Sequence, residues 1–189
     1  MLRRSLLAVL VLTVLCAAAA KQVDNSEYRS WARFKPSSSA SYREVAGKTE
    51  RRFSVTLLEV TPAEVVLEEV THESVGTPWP LNKPQKHRLP AKADDYGKPA
   101  LTEKVIREEE ITVDGRKLKC KVTEVPDGMD GIRFLVRVWR CDEVPGAVVR
   151  LQFICEEHHQ YDVDRTLERF HVAESRSPWI ARSSPSPLT

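Results

Sequence analysis

The sequence predicts a mainly β protein: a curved antiparallel sheet or half-barrel of about seven or eight strands, with few or no helices outside an N-terminal signal. Runs rich in Val, Thr, Ile and Leu alternate with polar residues at a period of two, which is typical of half-buried strands. Turn residues separate these runs. Prolines recur between 76 and 100 and exclude a long regular element there.

Residues 1–20 have the three parts of a secretory signal. A basic start, MLRR, precedes an apolar run that ends at Leu15, and small residues follow as far as Ala20. The apolar run is shorter than the roughly 20 residues of a membrane-spanning helix. We therefore expect cleavage after Ala20, export to the periplasm or the extracellular space, and no transmembrane segment in the mature chain. Lipidation at Cys16 is the alternative, although Val14 and Leu15 stand where small residues are expected.

The charge balance argues against a nucleic-acid partner. The chain has 29 Lys and Arg residues and 27 Asp and Glu residues. Arg3 and Arg4 are the only charged residues of the predicted signal, so their removal leaves 27 basic and 27 acidic residues. A neutral mature chain lacks the overall basic excess that nucleic-acid-binding domains usually show, and we expect no such binding.

The rest of the chain is predicted to form one β-rich domain over 21–173, followed by a disordered Ser/Pro-rich tail over 174–189. The polar leader 21–41 is expected to dock on the domain through Trp31 and Phe34. A short helix over 101–111 is an alternative to a strand there. The predicted strands are 51–60, 63–72, a short edge strand at 85–91, 103–113, 116–125, 132–140, 147–156 and 165–173.

The pair Asp114-Gly115 is the strongest turn signal in the chain, because a type I′ turn needs positive φ at both central residues. A two-residue turn there places Ile111 opposite Leu118. The second strand of this hairpin then has one apolar face and one basic, solvated face, with Leu118, Cys120 and Val122 on the first and Lys117, Lys119 and Lys121 on the second.

The predicted mature chain has three cysteines, which export would permit to form a disulfide. Cys120 and Cys155 are predicted to share the apolar face, but strand 132–140 separates them by about 10 Å. A disulfide needs Cα atoms within about 7 Å of each other. Cys141 falls on the opposite face from Cys120. We therefore expect Cys120 to be a buried free thiol, with a bridge to Cys155 across a bulge as the alternative.

Strand 132–140 has an amphipathic second face, formed by Arg133, Leu135, Arg137 and Trp139. We expect the leader or the proline-rich loop to cover this face. The alternative is an exposed groove in which the indole of Trp139 contacts a ligand.

Catalytic and metal-binding motifs are absent from the sequence, as are glycine-rich cofactor loops. His158 and His159 are adjacent, so on a strand they point to opposite faces and cannot chelate one metal ion together. Asp94 and Asp95 lie in a loop and are expected to make turn hydrogen bonds. We predict no metal, no cofactor, no catalytic residue and no enzymatic activity.

Two motifs resemble those of small secreted proteins of unknown function from planctomycete-type bacteria, over about 28–156. They occupy Gly115, Arg116, Leu118, Cys120 and Val122, and then Val138, Trp139, Val144, Pro145, Gly146, Val148, Val149 and Arg150. This resemblance implies no activity. The layout is also similar to the half-barrels of periplasmic lipoprotein carriers, although an obvious long helix to fill the half-barrel is lacking.

The sequence therefore predicts an exported, non-enzymatic binding or structural module of the cell envelope, whose partner is an apolar small molecule or an envelope protein. The alternative is a periplasmic carrier of a lipid or a small apolar ligand, and the third possibility is an unrecognised hydrolase. A carrier requires an empty apolar cavity, a structural module a filled core, and a hydrolase converging polar groups. The predicted apolar ligand face consists of Leu118, Cys120, Val122, Phe134, Val136, Val149, Leu151 and Phe153.

Overall fold

The computed structural model describes residues 22–76, 80–94, 104–129, 132–155 and 158–174. The predicted signal, 1–20, and residues 175–189 of the predicted tail lie outside these ranges. In chain order the elements are β1 (Gln22–Asp24), α1 (Ser26–Ala32), β2 (Ser39–Ala46), β3 (Thr49–Val60), β4 (Glu64–Val75), β5 (Gln85–Pro90), β6 (Lys92–Asp94), β7 (Lys104–Val113), β8 (Arg116–Met129), β9 (Ile132–Arg140), β10 (Val148–Cys155), a 3-10 turn (His159–Tyr161) and β11 (Val163–His171).

The strands form a nine-stranded antiparallel sheet in the order β5-β4-β3-β2-β11-β10-β9-β8-β7, and β1 pairs with β6 in a separate two-stranded sheet. The predicted class, a mainly β protein with a curved antiparallel sheet, is confirmed, and the sheet is not closed into a barrel. The large sheet consists of two meanders, β2 to β5 and β7 to β11. They are joined where β2 pairs with β11, the first and last strands of this sheet along the chain.

The sheet has one or two strands more than predicted, because β2 occupies a segment that we had assigned to the leader and a loop. Its residues Ala40 and Tyr42 are buried and alternate with half-buried Ser41, as expected for a strand with one core face. The hairpin at Asp114-Gly115 forms as predicted, with φ values of 49° and 75°.

Helix α1 lies in the predicted polar leader. The side chain of Asn25 caps it by accepting hydrogen bonds from the backbone N–H groups of Glu27 and Tyr28. Trp31 is buried and the half-buried Phe34 packs on the same core, so the leader docks through both aromatics, as predicted. Within the described ranges, no helix has the length and apolar character that crossing a membrane requires.

The connection between β8 and β9 determines which side chains share a face of the sheet. Val122 is directly opposite Trp139, and Thr123 is opposite Val138. Directly opposite residues of an antiparallel pair point to the same side. We call the side that faces α1 the inner face and the other side the outer face. Val138 lies on the inner face, while Val122 and Trp139 lie on the outer face.

The indole of Trp139 is covered by β7, and not by the leader or the proline-rich loop as we had expected. Its Nε1 donates a hydrogen bond to Glu109 Oε2 at 3.0 Å, and the guanidinium carbon of Arg107 lies 5.9 Å from the ring centroid. Arg150, from β10, lies 5.2 Å from the same ring. The exposed ligand-binding groove considered as an alternative is therefore absent at this indole.

Cys120, Cys141 and Cys155 are all free and buried. This confirms the prediction for Cys120, whose neighbours Lys119 and Lys121 are exposed on the opposite side of the strand. Burial raises the pKa of the Cys120 thiol to about 11, so the thiol stays protonated and unreactive at neutral pH.

Candidate functional site

A cavity of about 490 Å³ lies between α1 and the inner face of the sheet. This volume falls within the roughly 300–1,000 Å³ range of small-molecule pockets. Strands β2, β3, β4, β5, β9, β10 and β11 contribute its floor, and α1 forms its roof. Alternate residues of adjacent strands point to the same side, so one face of a curved sheet can line a single cavity.

Much of the cavity wall is apolar. Tyr42 and Phe53 are directly opposite each other on β2 and β3, and their rings stack with centroids 5.5 Å apart. The apolar and aromatic lining residues are Trp31, Tyr42, Phe53, Val55, Leu67, Leu89, Val138, Val148 and Leu151. Several of these side chains remain half-buried, which leaves apolar surface available to a ligand.

The roof of the cavity is attached to the sheet at both ends of α1. Tyr28 donates a hydrogen bond from its hydroxyl to the carbonyl of Thr61 at 2.8 Å. At the other end, the backbone N–H of Gly146 donates to the carbonyl of Ser30 at 3.3 Å. These bonds connect α1 to the loop after β3 and to the loop before β10. The helix is therefore held over the cavity from two sides.

Gly146 contacts α1 closely. Its φ is +79°, in the left-handed region, and a Cβ atom added there would lie 2.8 Å from Cζ2 of the Trp31 indole. A side chain at this position would have to displace the indole that forms part of the cavity wall. The close approach of loop and helix therefore depends on glycine.

The inner face also carries a buried charge network at the junction of the two meanders. Glu44 of β2 accepts hydrogen bonds from Arg51 of β3 at 2.8 Å and from Arg165 of β11 at 2.7 Å. Burial raises the pKa of Glu44, but the hydrogen bonds and charges of the two arginines outweigh it and hold the pKa below its usual value. Both guanidinium groups also lie over the ring of Phe53, at 4.2 and 5.3 Å. The network joins the two halves of the sheet beside the cavity.

A second cleft, of about 450 Å³, lies beside the helix and adjoins the first. The two share Ser26, Ser30 and Arg140 as lining residues. The other residues of the second cleft are Arg29, Arg33, Asp142 and Ala147. Its charged lining is thus mainly arginine, in contrast to the apolar lining of the cavity. We call it the arginine cleft.

The predicted apolar ligand face is divided between the two sides of the sheet. Phe134, Val136, Leu151 and Phe153 are on the inner face, as shown by their pairing with one another and with Val138 across β9 and β10. Of the predicted residues, Leu151 lines the cavity. Val149 is fully buried at a bulge in β10. Leu118, Cys120 and Val122 are buried on the outer face with Trp139.

Most of the cavity residues were missed because they lie on strands β2 to β5 and on α1, which the sequence prediction assigned only to structure. The stretch Asn25 to Ala32 did contain a signal. A capping residue is followed by Tyr28, Trp31 and Ala32 at the spacing of one helix face.

The remaining polar candidates lie away from the cavity. His159 approaches Asp162 at 3.3 Å in an exposed turn, and no group of three or more metal-ligating side chains occurs among the described residues. Asp95 lies outside the described residues, as does the side chain of Asp94. Ser54 Oγ and His72 Nε2 are 2.8 Å apart, but this pair is on the outer face.

Comparison of the chain with protein-family models, with curated proteins and with solved structures found no match.

Proposed function

We propose that this protein is an exported binding module that holds a small apolar or amphipathic molecule in the cavity between α1 and the inner face. The carrying observation is the cavity itself: about 490 Å³ of space lined largely by aromatic and aliphatic side chains. A purely structural module would fill that face with its own side chains. The carrier alternative of the sequence prediction is therefore the function that the geometry supports best.

The binding energy would come mainly from burial of the ligand's apolar surface. Each methylene group transferred from water to an apolar site contributes about 0.8 kcal/mol, which corresponds to roughly a fourfold gain in affinity. Binding should therefore strengthen with chain length until the cavity is full. The lining is provided by a sheet whose strands are fixed by backbone pairing, so the site is formed before the ligand arrives.

The proposal is tested by calorimetry and native mass spectrometry with neutral alcohols of increasing length, from hexanol to dodecanol. We expect one alcohol to bind per chain, with an affinity that rises about fourfold per methylene over the shorter members. Leu151→Trp should weaken or abolish binding, because the larger side chain enters the cavity from its floor.

The matched control is Ile154→Trp, on the same strand. Ile154 is also half-buried, but it pairs with Leu135 three positions along and points to the outer face. Circular dichroism and thermal unfolding of both variants establish that they are folded. If the folded wild-type protein binds none of the alcohols, or if the two variants lose binding equally, the cavity is not a ligand site.

A further inference from the structure

We propose that the ligand is an amphiphile with an anionic head group, a carboxylate or a phosphate monoester, whose chain lies in the cavity and whose head lies in the arginine cleft. This inference rests on the proposed function and adds the chemical class of the ligand. The observation behind it is that an apolar site and a cationic site are continuous. They share Ser26, Ser30 and Arg140.

The arginine cleft has the groups that recognise an oxyanion. Arg29, Arg33 and Arg140 line it together with one acidic residue, Asp142. Guanidinium groups bind carboxylates and phosphates through paired N–H donors, and such charge-assisted bonds are stronger than neutral ones. The hydroxyl-bearing residue Ser26 lines the cleft as well. A neutral or cationic head group would gain nothing from these donors.

Existing ion pairs leave capacity for a ligand. Arg33 donates to Asp142 at 2.8 Å, and Arg29 lies 3.9 Å from Asp24. Asp142 and Arg29 are largely exposed, and such surface pairs contribute little to stability, so exchange of a surface carboxylate for a ligand oxyanion costs little. Each guanidinium has five N–H donors, and one contact to a carboxylate does not use them all.

Arg140 connects the two sites. It is the last residue of β9, its backbone is opposite Lys121 of β8, and it follows Val138 of the cavity floor by two positions. Residues two apart on a strand point to the same side, so the side chain of Arg140 begins on the inner face, next to the apolar floor. A head group bound there would have its chain directed along that floor.

The proposal is tested with ligands that share a ten-carbon chain and differ only in the head: decanoate, decyl phosphate, decanol and decyltrimethylammonium. We expect the two anions to bind at least tenfold more tightly than decanol, since a hydrogen bond to a charged group contributes about 1.5–3 kcal/mol. The cation should bind more weakly than decanol. Inorganic phosphate and acetate should bind far more weakly than their decyl counterparts.

The diagnostic variant is Arg140→Gln. It should reduce the affinity for decanoate and decyl phosphate about tenfold or more, and leave the affinity for decanol within about twofold. The matched control is Arg133→Gln, which removes one positive charge from the same strand but on the outer face. This control separates a local head-group site from a general effect of net charge.

The outcomes distinguish the two proposals. If all four decyl ligands bind with equal affinity, or if the two variants have the same effect, the head-group inference is wrong while the apolar cavity stands. If inorganic phosphate binds as tightly as decyl phosphate, the cleft is a simple anion site and the inference is likewise wrong. If no decyl ligand binds at all, the proposed function fails first.

Discussion

Gly146→Ala probes the contact that holds α1 over the cavity. At a φ of +79° the substitution requires a left-handed alanine, which costs about 1–2 kcal/mol relative to the preferred conformation. The new methyl group would also lie 2.8 Å from Cζ2, 2.9 Å from Cε2 and 3.0 Å from Nε1 of Trp31. Forcing an extra carbon into such a contact typically costs a further 1–3 kcal/mol or so. We therefore expect a total loss of about 2–5 kcal/mol.

Gly115→Ala is the matched control. Gly115 has a φ of +75°, close to that of Gly146, but an added Cβ would meet no atom within 4 Å. It should therefore lose only the conformational part, about 1–2 kcal/mol. Reduced freedom of the unfolded chain offsets part of the loss in both variants and cancels in their difference. The remaining difference, about 1–3 kcal/mol, measures the contact with the indole.

Urea unfolding followed by far-ultraviolet circular dichroism gives both free energies of unfolding. A third measurement repeats Gly146→Ala in a Trp31→Phe background, where the outer part of the indole is missing. There the cost of Gly146→Ala should fall to that of Gly115→Ala. Equal destabilisation by the two alanine variants in the natural background would refute the argument, because it would mean that the loop and α1 are not in close contact.

The remaining predictions concern buried titratable groups. Glu44→Gln should destabilise the protein at pH 7, because the folded-state pKa of Glu44 is lowered and its charged form contributes stability above its ordinary pKa of 4.5. That contribution is lost as the pH falls through the folded pKa, so the difference between variant and wild type should shrink in acid, and a difference independent of pH would contradict the assignment. Thiol titration of unreduced protein should detect no reactive cysteine until denaturant is added, and then three thiols in the described part of the chain; a single thiol would reveal a disulfide between two of Cys120, Cys141 and Cys155.

The sequence predicted the local features of the fold well. Asp114-Gly115 is a two-residue turn whose geometry depends only on its own backbone, and the alternation that follows it is correct. β9 begins and ends as predicted, and the edge strand β5 differs by one residue. Period-two alternation and turn chemistry act within a few residues, so they can be read without knowing the rest of the molecule.

The division of the predicted ligand face could also have been derived from the sequence. Two Asp-Gly pairs, 127–128 and 130–131, precede β9 in the sequence. A two-residue turn at either pair places even-numbered residues of one strand opposite odd-numbered residues of the next. The observed pairing of Met129 with Ile132 follows this rule, and it separates Cys120 from Phe134. The sequence prediction ended β8 at residue 125 and so lost the register.

The cavity and its neighbouring cleft depended on the tertiary structure. Glu44 and Arg165 are 121 positions apart in the chain, and the pairing of β2 with β11 brings them together. The sequence alone determined that this chain forms strands, where most of them lie, and which turns connect them, because those properties follow from local backbone and side-chain preferences. The tertiary structure decided which faces meet and what space remains between them, because curvature and long-range pairing depend on the packing of the whole sheet.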